Sequence, residues 1–118
     1  MYFNEIRKYL ASKRHYKNKV SEVIEENGHI RFTISNDFAD KYFTVSYYDS
    51  EHEPKNQARP RYYHYFLTFD QDLYPIKDKL GEIIEQKWYI DEKDVLDRIR
   101  VLVQRYNRHP ISQEEEEK

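Results

Sequence analysis

Residues 59–70 read RPRYYHYFLTFD, and no other stretch limits the fold of this chain as tightly. Five of the eight residues between Arg61 and Asp70 are aromatic. They alternate, with Tyr63, Tyr65, Leu67 and Phe69 on one side and Tyr62, His64, Phe66 and Thr68 on the other. A period of two built from aromatic and β-branched residues predicts a strand. Two upstream segments share the pattern: HIRFTI (29–34) sets Ile30, Phe32 and Ile34 against polar neighbours, and YFTVSYY (42–48) does so with Phe43, Val45 and Tyr47. The links SNDFAD and DSEHEPKNQARP are polar and carry turn residues, so a three-stranded antiparallel meander is the expected pairing.

The flanking regions read as helical. Phe3, Ile6, Leu10, Tyr16, Val20, Val23 and Ile24 fall on a 3.6-residue stripe, which predicts helix over residues 2–27. The stripe weakens across KRHYKNK (13–19), so this is one long helix or two with a hinge, and Asn27-Gly28 reads as its stop. After Asp70, a good N-cap, QDLYPIKDKLGEIIEQ places Leu73, Ile76, Leu80, Ile83 and Ile84 on one face and predicts a first C-terminal helix. WYI (88–90) links it to a second helix opening at Asp91, whose stripe is Val95, Leu96, Ile99, Leu102, Val103 and Tyr106. The expected fold class is therefore α+β: an N-terminal helix (one long or two), a three-stranded antiparallel β-meander and two C-terminal helices. Residues 1–110 are expected to form a single compact domain, and ISQEEEEK (111–118) an acidic disordered tail.

Composition enters where it excludes functions. Only 38% of the 118 residues are hydrophobic, a figure that includes 12 tyrosines, so tyrosine must build much of the core or cover much of the surface. The absence of cysteine rules out disulfides and thiolate metal sites and makes a reducing, cytoplasmic compartment the expectation. No run of about 18 apolar residues exists, so no membrane association is expected. MYFNEIRKYL has no apolar h-region and does not read as a signal peptide. With two glycines and four prolines there is no Gly-rich phosphate loop, and no cofactor is expected.

The net charge of −2 hides alternating blocks. Residues 1–19 carry six Lys/Arg against one Glu, and residues 98–109 carry four arginines without an acid. Between them lie acidic stretches around a small basic block of Lys55, Arg59 and Arg61. Either the basic blocks converge into a phosphate-attracting patch, or each pairs with its acidic neighbour in weak surface ion pairs.

If Ile30, Phe32, Phe43, Val45, Tyr65, Leu67 and Phe69 face the core, the opposite sheet face displays Arg31, Tyr42, Tyr48, Tyr62, His64 and Phe66, with Arg59 and Arg61 adjoining. These eight residues are the candidate binding residues. A helix could cover the face, leaving it purely structural. A protein or homodimer interface is the first functional expectation, because tyrosine offers large contact area at low entropic cost. Nucleic-acid binding is the alternative, with bases stacking on the aromatics and the arginines taking phosphates. Small proteins of this kind also serve as inhibitors, adaptors or regulators, including those of viruses and mobile elements.

Catalytic motifs are scarce. The five histidines show no metal-ligand spacing, and no Gly-x-Ser-x-Gly is present. One enzymatic arrangement can be written, a metal-dependent DNA nickase with His64 on a strand and Tyr106 as nucleophile. The second strand histidine it needs is replaced by Phe66, so a non-catalytic protein without a metal site is the expectation.

Overall fold

The computed structural model describes residues 2–12, 18–37, 39–55, 58–73 and 82–106. The chain runs α1 (Asn4–Ala11), β1 (Lys19–Glu26), β2 (His29–Ser35), β3 (Ala39–Tyr47), β4 (Tyr65–Leu73), β5 (Glu82–Tyr89) and α2 (Glu92–Arg105). All five strands form one antiparallel sheet in chain order.

This corrects the expected fold class. Among the described residues the sheet has five strands rather than three, and one C-terminal helix follows it rather than two. Residues 19–26, expected as the end of a long helix, are β1, and residues 82–89, expected as helix and linker, are β5. Asp70 is not an N-cap: β4 continues through it to Leu73. Residues 13–17 of the expected hinge (13–19), the middle of the expected first C-terminal helix (74–81) and the tail (111–118) lie outside the described residues.

Asn27-Gly28 turns the chain from β1 into β2 rather than stopping a helix. Both residues hold positive φ, +53° and +78°, and Glu26 pairs with His29 across them. A two-residue hairpin loop with this backbone matches the twist of the strands it joins, which is why Asn-Gly suits it.

Both helices pack on the same side of the sheet. Phe3, Ile6 and Leu10 of α1 and its entry, and Val95, Leu96, Ile99, Leu102 and Val103 of α2, meet Ile30, Phe32, Ile34, Phe43, Val45, Tyr65, Leu67 and Phe69 in one core. A line of rings runs through it: Phe32 to Phe43 (5.2 Å), Phe43 to Phe69 (4.8 Å) and Phe69 to Tyr106 (5.2 Å). Asp91 caps α2 by accepting from the Asp94 amide at 3.0 Å. Phe3, at the start of α1, has no side-chain acceptor to offer. Instead Glu92 of α2 accepts the Ile6 amide at 2.8 Å, so the second helix caps the first.

Tyrosines extend this core at one end of the sheet. Tyr47, Tyr65 and Tyr89 stand side by side on the helix face of β3, β4 and β5. Tyr2 stacks on Tyr47 at 4.1 Å, and the Tyr65 hydroxyl donates to the Tyr2 carbonyl at 2.9 Å. At the other end Lys41 is fully buried between Ile34 and Gln71, its Nζ 3.3 Å from Asn18 Oδ1. Burial pulls its pKa down to about 8, with Asp40 acting in the opposite direction. Beside the core, Glu85 of β5 forms a two-bond ion pair with Arg98 of α2, at 2.8 and 2.6 Å.

Candidate functional site

With both helices on one side, the other face of the sheet carries no helix among the described residues. Strand register lays out its side chains in rows. One row runs Glu26, His29, Ser46, Phe66, Trp88 across β1 to β5. The next runs Ile24, Arg31, Thr44, Thr68, Gln86, and beyond it Asp70 of β4 stands between Tyr42 and Ile83.

The first row is aromatic and connected. Phe66 and Trp88 have ring centroids 4.9 Å apart; Trp88 and Tyr48 are 5.7 Å apart; Tyr48 meets the edge of His29 at 6.1 Å. Each of these four side chains is half-buried, one flank against its neighbours and the other outward. His29 Nδ1 lies 2.6 Å from Ser46 Oγ, which fixes the imidazole plane. At the β1–β2 end of the row an open cleft of about 260 Å³ is lined by Ile24, Glu26, Asn27, His29, Arg31 and Thr44. Ile24 and Ile83 flank the face on its two edge strands and are 45% and 59% exposed.

Arg31, Tyr42, Tyr48 and Phe66 therefore share this face as expected, and Trp88, which the sequence reading placed in a linker, joins them. The remaining candidates do not. His64 precedes β4 and turns toward the helix side, where its ring stacks on Tyr47 at 5.6 Å and its Nδ1–H donates to the Tyr48 carbonyl at 2.8 Å. Arg59 is committed: Nε and Nη2 donate to Glu53 at 2.7 and 3.2 Å, and Nη1 to the Tyr63 carbonyl at 3.0 Å. The paired guanidinium holds the Glu53 carboxyl below the usual carboxylate range. Arg61 and Tyr62 lie in the loop before β4, the guanidinium 5.0 Å over the Tyr62 ring, and Tyr62 is exposed at φ +71°.

His64 and Tyr106 are kept apart. Tyr106 packs on Phe69, five residues from His64 along the chain, or about 17 Å of extended strand. Among the described residues no three His, Asp or Glu side chains converge to hold a metal ion.

One polar atom on the face stands out. Asp70 Oδ1 is buried without a hydrogen-bond partner among the described residues. Burial raises the Asp70 pKa, the direction expected of a carboxylate that has lost water and gained no donor. Arg31, on the strand two positions away in the sheet, is exposed.

Fold and face together define a two-layer α+β protein with a one-sided sheet. Comparison with protein-family models, curated proteins and solved structures finds no match for the chain. No helix among the described residues is long and apolar enough to cross a membrane.

Proposed function

We propose that this chain is a non-catalytic protein-binding module acting through the outer face of its sheet. The observation that carries this is the connected row His29–Tyr48–Trp88–Phe66, set on a face that neither helix covers. Such a row offers rigid aromatic area with polar groups at its margins, the composition of the energetic centre of an interface. The absence of cysteine fits a reducing compartment for the encounter.

The charge of the face favours a protein over a nucleic acid as the partner. A stacking platform needs cations beside its rings to take phosphates; Arg59 is occupied by Glu53 and the Tyr63 carbonyl, and exposed Arg31 shares the face with the carboxylates of Glu26, Asp40, Asp70 and Asp72.

The lack of native cysteine makes the test direct. Thr68→Cys, at the centre of the face, and Arg100→Cys, on the exposed side of α2, each accept a photo-crosslinker. Crosslinked protein adducts are expected from the first position and not the second. Equal yields from both, or none from Thr68→Cys, would refute the assignment.

A further inference from the structure

We infer that the partner presents a basic segment, carrying arginine or lysine at both ends, which lies along β3 and β4 between Trp88 and the Asp40–Asp72 corner. This rests on the outer face being the binding surface and adds the chemistry of its occupant.

The charges of the face are sorted by strand. Register puts Lys19 and Arg31 on its β1–β2 half. On the outward side of β3, β4 and β5 the described residues include Asp40, Asp70 and Asp72 and no lysine or arginine. The lysines of those strands alternate to the other side: Lys41 pairs with Ile34, and Lys87 with Leu67, both of which face the helices. A cation docking on the β3–β5 half meets no like charge there, whereas an anion is repelled.

Asp40 and Asp72 are directly opposed on neighbouring strands. Opposed residues of an antiparallel pair have Cβ atoms about 5 Å apart, and like charges at that spacing destabilise the sheet. A guanidinium or ammonium seated between the two carboxylates replaces their repulsion with two charge-assisted hydrogen bonds. Both side chains are partly exposed, so a partner reaches them, as it does not reach the buried Asp70 Oδ1.

The aromatic row supplies the second anchor. Phe66, Trp88 and Tyr48 each keep one flank outward, and the face of an aromatic ring, tryptophan above all, attracts a cation. Arginine suits this end, since its guanidinium stacks on a ring and still donates hydrogen bonds. Phe66 and Asp72 lie six residues apart on β4, about 20 Å of strand. Six extended residues of a partner cover the same distance, so one short linear segment reaches both anchors.

The test uses a decapeptide of alternating arginine and serine, with one of alternating glutamate and serine as its counterpart. Trp88, the single tryptophan of the chain, reports on the row itself. Titrated to about 1 mM at low salt, the arginine peptide should change Trp88 emission saturably, and the glutamate peptide should leave it unchanged. Affinity should fall by roughly threefold or more between about 20 and 200 mM salt. Asp40→Asn combined with Asp72→Asn should weaken binding by roughly threefold or more. Asp94→Asn combined with Asp97→Asn removes the same charge from the exposed side of α2 and should leave it within about twofold. The asparagines keep the shape of the residues they replace, and circular dichroism checks both folds. The arginine peptide should also displace the protein adducts formed at Thr68→Cys. Equal weakening by the two variant pairs, or an equal response to the glutamate peptide, would overturn the basic occupant. A silent Trp88, with adducts at Thr68→Cys that form and resist the arginine peptide, would overturn it while leaving the binding face standing. A silent Trp88 with no adducts would sink both.

Discussion

Lys41 gives the sharpest test of the packing. Its ammonium is fully buried, and its pKa of about 8 stands against an ordinary 10.5. The native state therefore sheds this proton well before the unfolded chain does. Between those two values the unfolded chain binds more protons, so stability rises with pH. Integrating the difference from pH 7 to about pH 9.5 gives ~2 kcal/mol, out of ~3 kcal/mol for the whole shift. Above about pH 10 the sign reverses. Tyr65 and Tyr89, pushed up to about 12 by burial, ionise first in the unfolded chain, and stability then falls as pH rises. Urea unfolding followed by Trp88 emission at half-unit steps should thus show a maximum between about pH 9 and 10. Lys41→Met keeps an unbranched apolar stem and removes the buried charge. It should be about 1–3 kcal/mol more stable than the parent at pH 7 and nearly flat to about pH 9.5. A parent profile flat from pH 7 to 9.5, together with a destabilised Lys41→Met, would show that the ammonium is well solvated or paired and would refute the reasoning.

Three further outcomes follow from local geometry. Gly28→Ala should cost about 1–2 kcal/mol in thermal or urea unfolding, because the added Cβ meets the Tyr47 carbonyl at an ordinary 3.6 Å and only the φ of +78° resists it. Arg98→Ala leaves half-buried Glu85 without its partner and should cost about 1–3 kcal/mol at pH 7. Arg98 is the main cause of the lowered Glu85 pKa, and the stability a lowered carboxylate gives is lost as pH falls through its folded value, so the cost should shrink in acid. Glu92→Leu removes the acceptor for the Ile6 amide; amide hydrogen exchange should show α1 opening more readily, with a global loss of about 1–2 kcal/mol.

The parts of the fold legible in the sequence are those whose burial follows a simple period. β2, β3 and β4 are covered by helices on one face only, so Ile30, Phe32, Phe43, Val45, Leu67 and Phe69 mark them by alternation. In α2 the buried Val95, Leu96, Ile99, Leu102 and Val103 follow helical spacing. The two edge strands are hidden in the sequence for a common reason. β1 is almost wholly exposed, and its pairing shifts between Ser21 and Ile24, where Glu22 sits at φ +55°. β5 slips against β4 at Phe69/Asp70. A bulge inserts an extra residue and breaks the period of two, leaving Val20, Val23, Ile24 and then Ile83, Ile84 at spacings that imitate a helix. Trp88 was lost with β5, so the aromatic row could not be assembled from sequence alone. The partner of Arg59 is hidden for another reason: nothing in RPRYYHYF announces that Glu53, six residues earlier, holds it.

The bond between Glu92 and the Ile6 amide joins residues 86 apart in sequence, and it bears on biosynthesis. Every strand pairs with its predecessor in sequence, so the sheet can assemble hairpin by hairpin as the chain leaves the ribosome at roughly 5–20 residues per second. α2 emerges last. Until it does, Phe43, Leu67 and Phe69 have only α1 to shelter them, and α1 itself lacks its cap. The nascent sheet is thus greasy on its inner side until α2 has been made, when a chaperone has most to recognise. Truncation before residue 92 would make that exposure permanent.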